Sequence, residues 1–231
     1  MIVLVHSGIC DARMWDGFDV PGAVRHELNG FGQTPMPAAG EFSWAEELAS
    51  TLTEPAALVG ASSGGGVCLE VASTRPELVS ALVLMDAPLP DHDWSEEIEA
   101  YGAREDALIE EGEFRAAAEM TADFWLEDAS HRDRVIEMQE RAYQLQAESE
   151  AEPAGAESID LAAITAPTLV VVGELDKPDF HRIAERLARE IPHARHVVVE
   201  GAGHLPALER QDETARLVRK FLDESKDLGT P

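Results

Sequence analysis

The chain is poor in basic residues. Its 231 residues hold 18 Lys and Arg against 45 Asp and Glu, a formal net charge of −27 at pH 7. Proteins that bind nucleic acid neutralise phosphates with a basic stripe; none is visible, which argues against nucleic acid as a partner. Cysteine is almost absent: Cys10 and Cys68 are too few for a disulfide framework and read as free, buried thiols. No apolar run approaches the ~20 residues of a membrane-spanning helix, and Met1-Ile2-Val3-Leu4-Val5-His6 lacks the basic start of a signal peptide. A cytoplasmic protein without a membrane partner is expected. The 8 histidines are scattered, with no metal-type Cys/His cluster, so neither a metal nor a cofactor is expected.

The acid is unevenly spread. Residues 89–160 carry 22 Asp and Glu, 5 Arg and no Lys, a net of −17, so about two thirds of the excess charge lies in under a third of the chain. The same segment shows amphipathic helical runs, with Ile98, Tyr101, Leu108 and Ile109 in the first, Phe114, Ala117, Ala118 and Trp125 in the second, and Val135, Met138, Ala142 and Leu145 in the third. It reads as a helical insertion, 89–160, into a core made of 1–88 and 161–231. Its acidity is that of a solvated helical surface; an acidic mouth that disfavours anionic substrates is the functional alternative.

Outside that segment, continuous apolar runs alternate with helical patterns. Ile2-Val3-Leu4-Val5, Ala57-Leu58-Val59, Ala81-Leu82-Val83-Leu84-Met85, Leu169-Val170-Val171-Val172 and His196-Val197-Val198-Val199 suit strands, mostly buried on both faces. Residues 24–28 are a more polar strand fit for a sheet edge. Ser43 and Glu46 form a capping box ahead of a helix over 44–52, further helices follow at 67–72 and 180–191, and one over 212–222 precedes a frayed tail from Asp223. Strands alternating with helices predict an α/β fold, a mostly parallel sheet with helices on both faces and a site at the strand C-terminal ends.

Ala57-Leu58-Val59-Gly60-Ala61-Ser62-Ser63-Gly64 passes from strand to helix through Gly-x-Ser-x-Gly. Such a turn holds a serine oxygen out at the sheet end, with the positive end of the following helix aimed at it. A serine hydroxyl is a poor nucleophile unless a base lies within hydrogen-bond reach and an acid orients that base. Two later strands deliver the needed types: Gly173-Glu174-Leu175-Asp176 and Gly201-Ala202-Gly203-His204. Asp86, after the strand ending at Met85, is a second candidate acid; a turn residue bonded to the backbone ahead of Pro88 is its other reading.

The order Ser62, Asp176, His204 on these loops resembles the α/β-hydrolase family. The likeness runs along nearly the whole chain: His6-Ser7-Gly8 with Trp15, Gly30-Phe31-Gly32, the serine turn, Arg75-Pro76-Glu77, the insertion after Pro88 and Gly203-His204. The resemblance implies Ser62 as nucleophile, His204 as general base and then acid, Asp176 as the orienting carboxylate, and the backbone N–H groups of Gly8 and Ser63 as an oxyanion hole; some members carry the acid at the Asp86 position. It further implies a small-molecule ester or related acyl substrate. Carbon–carbon bond hydrolysis, lactone hydrolysis, perhydrolysis and non-catalytic ligand binding use the same framework.

His6 is expected to prop the oxyanion loop, and the Ser63 side chain to face away from the site. Trp15, Phe31, Trp94, Phe124 and Trp125 are candidates for an acyl pocket, although for any single one of them core packing is the better reading. The chain departs from the family pattern in starting at its third strand, so that two antiparallel edge strands are missing and residues 24–28 become an edge open to pairing in a homodimer. Ser7 also stands where the family has glycine, and residues 15–24 are too short for the usual helix.

Overall fold

The continuous apolar runs become the strands of one parallel sheet. A computed structural model describes residues 1–226 of the chain. In chain order its strands are β1 (Ile2–Val5), β2 (Ala23–His26), β3 (Ala39–Phe42), β4 (Ala56–Ala61), β5 (Val79–Met85), β6 (Glu150–Pro153), β7 (Thr168–Gly173) and β8 (Arg195–Val199). The helices are α1 (Trp44–Thr51), α2 (Ser63–Thr74), α3 (Glu96–Glu110), α4 (Phe114–Trp125), α5 (Arg132–Ala147), α6 (Pro178–Glu190), α7 (Pro206–Glu209) and α8 (Gln211–Lys226). Six strands form the main sheet in the order β2-β1-β4-β5-β7-β8, every neighbouring pair parallel. No helix among the described residues is long and apolar enough to cross a membrane.

Period-2 alternation splits the strand side chains between two cores. Val3, Val5, Leu58, Leu82, Leu84, Val170 and Val172 face one core, with Leu48 of α1, Leu69 and Val71 of α2, and Ile183 and Leu187 of α6. Leu4, Val59, Val83, Met85, Leu169 and Val171 face the other, with Val218 and Phe221 of α8. Helices therefore cover both faces, as parallel strands without a polar side require. β2 is the edge expected from its polarity, and Val24 is 54% exposed there. Cys10 and Cys68 are free and buried, and burial raises both thiols well above their ordinary range.

Ser43 caps α1 as its spacing predicts, its Oγ accepting from the Glu46 N–H at 3.3 Å. The predicted strand over residues 24–28 stops at His26, and the chain between Trp15 and β2 holds no helix. The expected frayed tail from Asp223 is corrected in part: α8 runs on through Lys226, with Phe221 and Leu222 anchoring its last turns in the core. The remainder of that tail, 227–231, lies outside the described residues.

Three helices, α3 to α5, occupy the middle of the acidic segment. β6 has no counterpart among the predicted strands; it pairs in parallel with β3 four residues deep and joins the end of that segment to the loop before α1. Both strands are short and mostly exposed, so neither has the apolar pattern by which a strand is recognised. At the other end of the segment the buried carboxylate of Asp179 in α6 accepts from the His92 ring at 3.0 Å and from the Ser95 N–H at 3.1 Å. Between these ties, Arg134 of α5 bonds the Arg13 carbonyl and Asp16 in the loop after β1.

Candidate active site

Strand order reverses around β1 and β4, since β2 follows β1 on one side of the sheet and later strands are added on the other. In parallel α/β sheets the crevice at such a switch point is where ligands bind. β1 delivers His6, Ser7 and Gly8 to this crevice, and β4 delivers Ser62.

Ser62 has φ 49° and ψ −123°, a conformation that L residues adopt only under strain. It is held by its N–H bond to the Met85 carbonyl at 2.7 Å and by the Gly66 N–H bonding its own carbonyl at 3.1 Å. Two glycines make the turn sterically feasible. A Cβ on Gly60 would lie 2.4 Å from the Gly64 carbonyl oxygen, and one on Gly64 would lie 2.2 Å from the His6 carbonyl oxygen. The first close approach packs the helix start onto its own strand; the second packs it onto the loop after β1.

The structure brings Ser62, His204 and Asp176 together. His204 Nε2 lies 2.8 Å from Ser62 Oγ, and His204 Nδ1 lies 2.9 Å from Asp176 Oδ2. The three come from loops after β4, β7 and β8, and each is buried, between 4% and 8% exposed. With Nδ1–H donating to the carboxylate, Nε2 is left as an acceptor for the serine O–H. Asp176 Oδ1 also accepts from the Lys177 N–H at 2.7 Å. Burial works to raise the Asp176 carboxyl, but the attraction of His204 and these hydrogen bonds hold it below the ordinary carboxylate range. Trp125 and Phe180 flank the imidazole, each with its ring centroid 4.4 Å away.

On the opposite side of Ser62, Gly8 and Ser63 face one another. The Ser63 amide opens α2 and has no intrahelical acceptor. The Ser63 side chain does not face away as expected. It is exposed and its Oγ stands 2.7 Å from where a Cβ on Gly8 would be. The left-handed turn at Ser62 rotates the next side chain toward the facing loop.

His6 has the propping role expected of it. Its Nδ1–H donates to the Ser7 carbonyl at 2.9 Å and its Nε2 accepts from the Leu28 N–H at 3.1 Å, which ties the Gly8 loop to the chain beyond β2. Complete burial lowers its pKa to about 4, so the ring is neutral. Glu27 Oε1 lies 3.3 Å from Nε2, but that nitrogen is already an acceptor and the contact is no ion pair.

Of the other aromatic candidates, Trp15 takes the core reading: it is fully buried and packs edge-on to Phe18. Phe31 packs edge-on to His6, and Trp94 on His92 and Phe180. Phe124 stacks on Tyr101 with centroids 4.3 Å apart and touches Trp125. Sequence reading missed Phe180, which appears there only as one apolar position of an amphipathic helix. It also missed Glu209, whose Oε2 accepts from the Gly203 N–H at 2.8 Å and so holds the loop carrying His204. Asp86 does not bond the backbone ahead of Pro88. Because β5 and β7 are neighbours, its Oδ1 reaches across to accept from the Gly173 N–H at 3.0 Å.

Residues 2–217 match the alpha/beta hydrolase family. The chain is 26% identical over 241 residues to a pimeloyl-[acyl-carrier protein] methyl ester esterase of Aeromonas hydrophila subsp. hydrophila, covering 96% of this chain and 94% of that protein. It is 27% identical over 232 residues to a 2-hydroxymuconate semialdehyde hydrolase of Pseudomonas putida, covering 89% and 78%. Among solved structures it is similar to a thermophilic esterase from Thermogutta terrifontis, with a TM-score of 0.75 and 25% identity over 97% of this chain and 89% of that one.

Proposed function

The chain belongs to the alpha/beta hydrolase family and is an ester hydrolase-like enzyme, and on that premise we propose that it cleaves small carboxylic esters through an acyl-enzyme formed on Ser62. The observation that carries this reading is the unbroken hydrogen-bond chain Ser62 Oγ, His204, Asp176. In it, His204 Nε2 takes the Ser62 proton as Oγ attacks the acyl carbon. Asp176 keeps Nδ1 protonated and stabilises the imidazolium that results. The Gly8 and Ser63 N–H groups receive the oxyanion of the tetrahedral intermediate, each worth about 3 to 4 kcal/mol in such a site. The imidazolium then protonates the leaving alcohol oxygen, the C–O bond breaks, and the acid part stays as an ester of Ser62. Water, deprotonated by the same nitrogen, attacks that ester; the bond from the acyl carbon to Oγ breaks, the imidazolium returns its proton to Ser62 Oγ, and the acid is freed.

In this reading residues 89–160 form a cap over the serine. The net charge of −17 on that segment favours uncharged acyl groups over anionic ones, since like charges at a low-dielectric mouth repel incoming anions. The test is covalent labelling with a fluorophosphonate alongside hydrolysis of p-nitrophenyl butyrate. Wild type labels stoichiometrically and turns over the ester, and Ser62→Ala does neither; labelling that survives in Ser62→Ala removes Ser62 as the nucleophile.

A further inference from the structure

Asp86 is a buried acid that the proposed mechanism leaves unused. It is 2% exposed and sits just past β5 with φ 47°, in the left-handed region where a non-glycine residue is strained. That backbone directs its carboxyl under the site. Oδ1 accepts from the Gly173 N–H, while Oδ2 is buried with no hydrogen-bond partner among the described residues. One ligand atom each of Asp86, Asp176 and His204 lies within 4.8 Å of the others.

A buried carboxylate oxygen without a donor is costly, and two carboxylates at this separation in a dry site do not both ionise. The donors decide which one keeps the charge. Asp176 receives His204 Nδ1–H and the Lys177 N–H, whereas Asp86 receives a single backbone N–H. Burial, followed by the proximity of Asp176, pushes the Asp86 carboxyl well above its usual range. Glu209 of α7, whose own carboxyl is raised by burial, also acts on Asp86, as does the neighbouring His204 ring by its proximity.

We propose that Asp86 is a positioning residue that carries a proton at neutral pH and donates it from Oδ2 to the Asp176 carboxylate. The orphaned oxygen thereby gains a partner, the plane of the Asp176 carboxylate is fixed against His204, and the carboxyl pair presents a single negative charge to the imidazole. This rests on Asp176 being the acid of the proposed triad.

Infrared spectroscopy at pH 7 and the pH profile of ester hydrolysis test it together. A protonated-carboxyl C=O band is expected in wild type and in Glu209→Gln, and is expected to vanish in Asp86→Asn. Asp86→Leu, which fills the space without donating, is expected to lower kcat about tenfold at unchanged KM. The conservative Asp86→Asn repeats the donor and acceptor pattern and is expected to restore most of that loss with the acid limb of the profile in place. Absence of the band from Glu209→Gln overturns the proposal, even if neither Asp86 variant folds. So does an acid limb that moves to lower pH in Asp86→Asn, because that is the mark of a removed negative charge. A different pattern, Asp86→Asn inactive and Asp176→Asn active, refutes Asp176 as the triad acid and leaves the infrared result to be read by itself.

Discussion

Acidification should destabilise this protein through one uncharged ring, His6. Its ordinary value of 6.5 is lowered to about 4 in the fold by burial. The unfolded chain thus takes up a proton on His6 near pH 6.5 and the folded chain only near 4, so the unfolded state binds more protons throughout that window. Stability is fully present above 6.5, declines as the pH falls, and the contribution is exhausted below about 4. At 1.36 kcal/mol per pH unit the whole window is worth about 3 kcal/mol, of which about 2 kcal/mol is gone by pH 5. The structural cause is specific: protonating Nε2 turns the acceptor of the Leu28 N–H into a second donor facing it. Urea unfolding followed by tryptophan fluorescence at pH 7 and pH 5 measures the loss. His6→Gln removes the titrating group while keeping a side-chain oxygen able to accept, so it is less stable at pH 7 but loses about 2 kcal/mol less on going to pH 5. Parallel losses in the two proteins, within about 0.5 kcal/mol, would refute the argument that His6 is held neutral.

Asp176→Asn should lower kcat for ester hydrolysis by about 10⁴-fold with little change in folding, because the amide holds the wrong imidazole tautomer; a loss under tenfold in steady-state assays would contradict its role. Gly64→Ala drives a Cβ to 2.2 Å from the His6 carbonyl oxygen and 2.6 Å from that of Val5. Backbone on both counts cannot yield cheaply, so a cost of about 3 kcal/mol and a fall in Tm of roughly 6 to 12 °C by calorimetry follow, and an unchanged Tm would show that the Ser62 turn is loosely packed. Trp125→Ala strips one face of His204 and should lower kcat by about 10- to 100-fold as the imidazole loses its fixed position, read by stopped-flow acylation; unchanged acylation would make the ring a bystander. The acidic segment should also make the monoester of a dicarboxylic acid a poorer substrate than a neutral ester of equal length, by about tenfold in kcat/KM at low salt. That gap should narrow in 1 M NaCl as the Debye length falls to about 3 Å, and a salt-independent ratio would exclude the charge argument.

The parts of this molecule that could be read from sequence are those fixed by local chemistry. β1, β4, β5 and β7 are apolar on consecutive positions, and that pattern has few uses other than a strand covered on both faces. The Ser62 turn and the Ser43 cap have short-range geometric causes, so their residues identify them directly. What escaped depends on which loops become neighbours. Asp86 next to Gly173 requires β5 and β7 to be adjacent, and no residue near Asp86 announces that. Glu209 and Phe180 likewise acquire their places from the packing of α6 and α7 around the His204 loop. The β3 and β6 pair is four residues deep and exposed, and its partners lie more than a hundred residues apart, so no periodicity marks it.

The same apolar strands explain why the polar side chains converge. A sheet covered on both faces leaves little room within it for an ionisable group, and of the strands β1, β4, β5 and β7 only β5 and β7 hold a hydroxyl, Ser80 and Thr168. Polar chemistry is pushed to where strands end, and His6, Ser62, Asp86, Asp176 and His204 all lie within a few residues of a strand C-terminus. Crowding there limits how much charge survives. His6 is neutral because burial disfavours its charged form, and the neutral ring then matches one nitrogen to a carbonyl and the other to an N–H. Asp176 keeps its charge because His204 and the Lys177 amide both donate to it, and that single retained charge is what holds the imidazole with its free nitrogen toward Ser62.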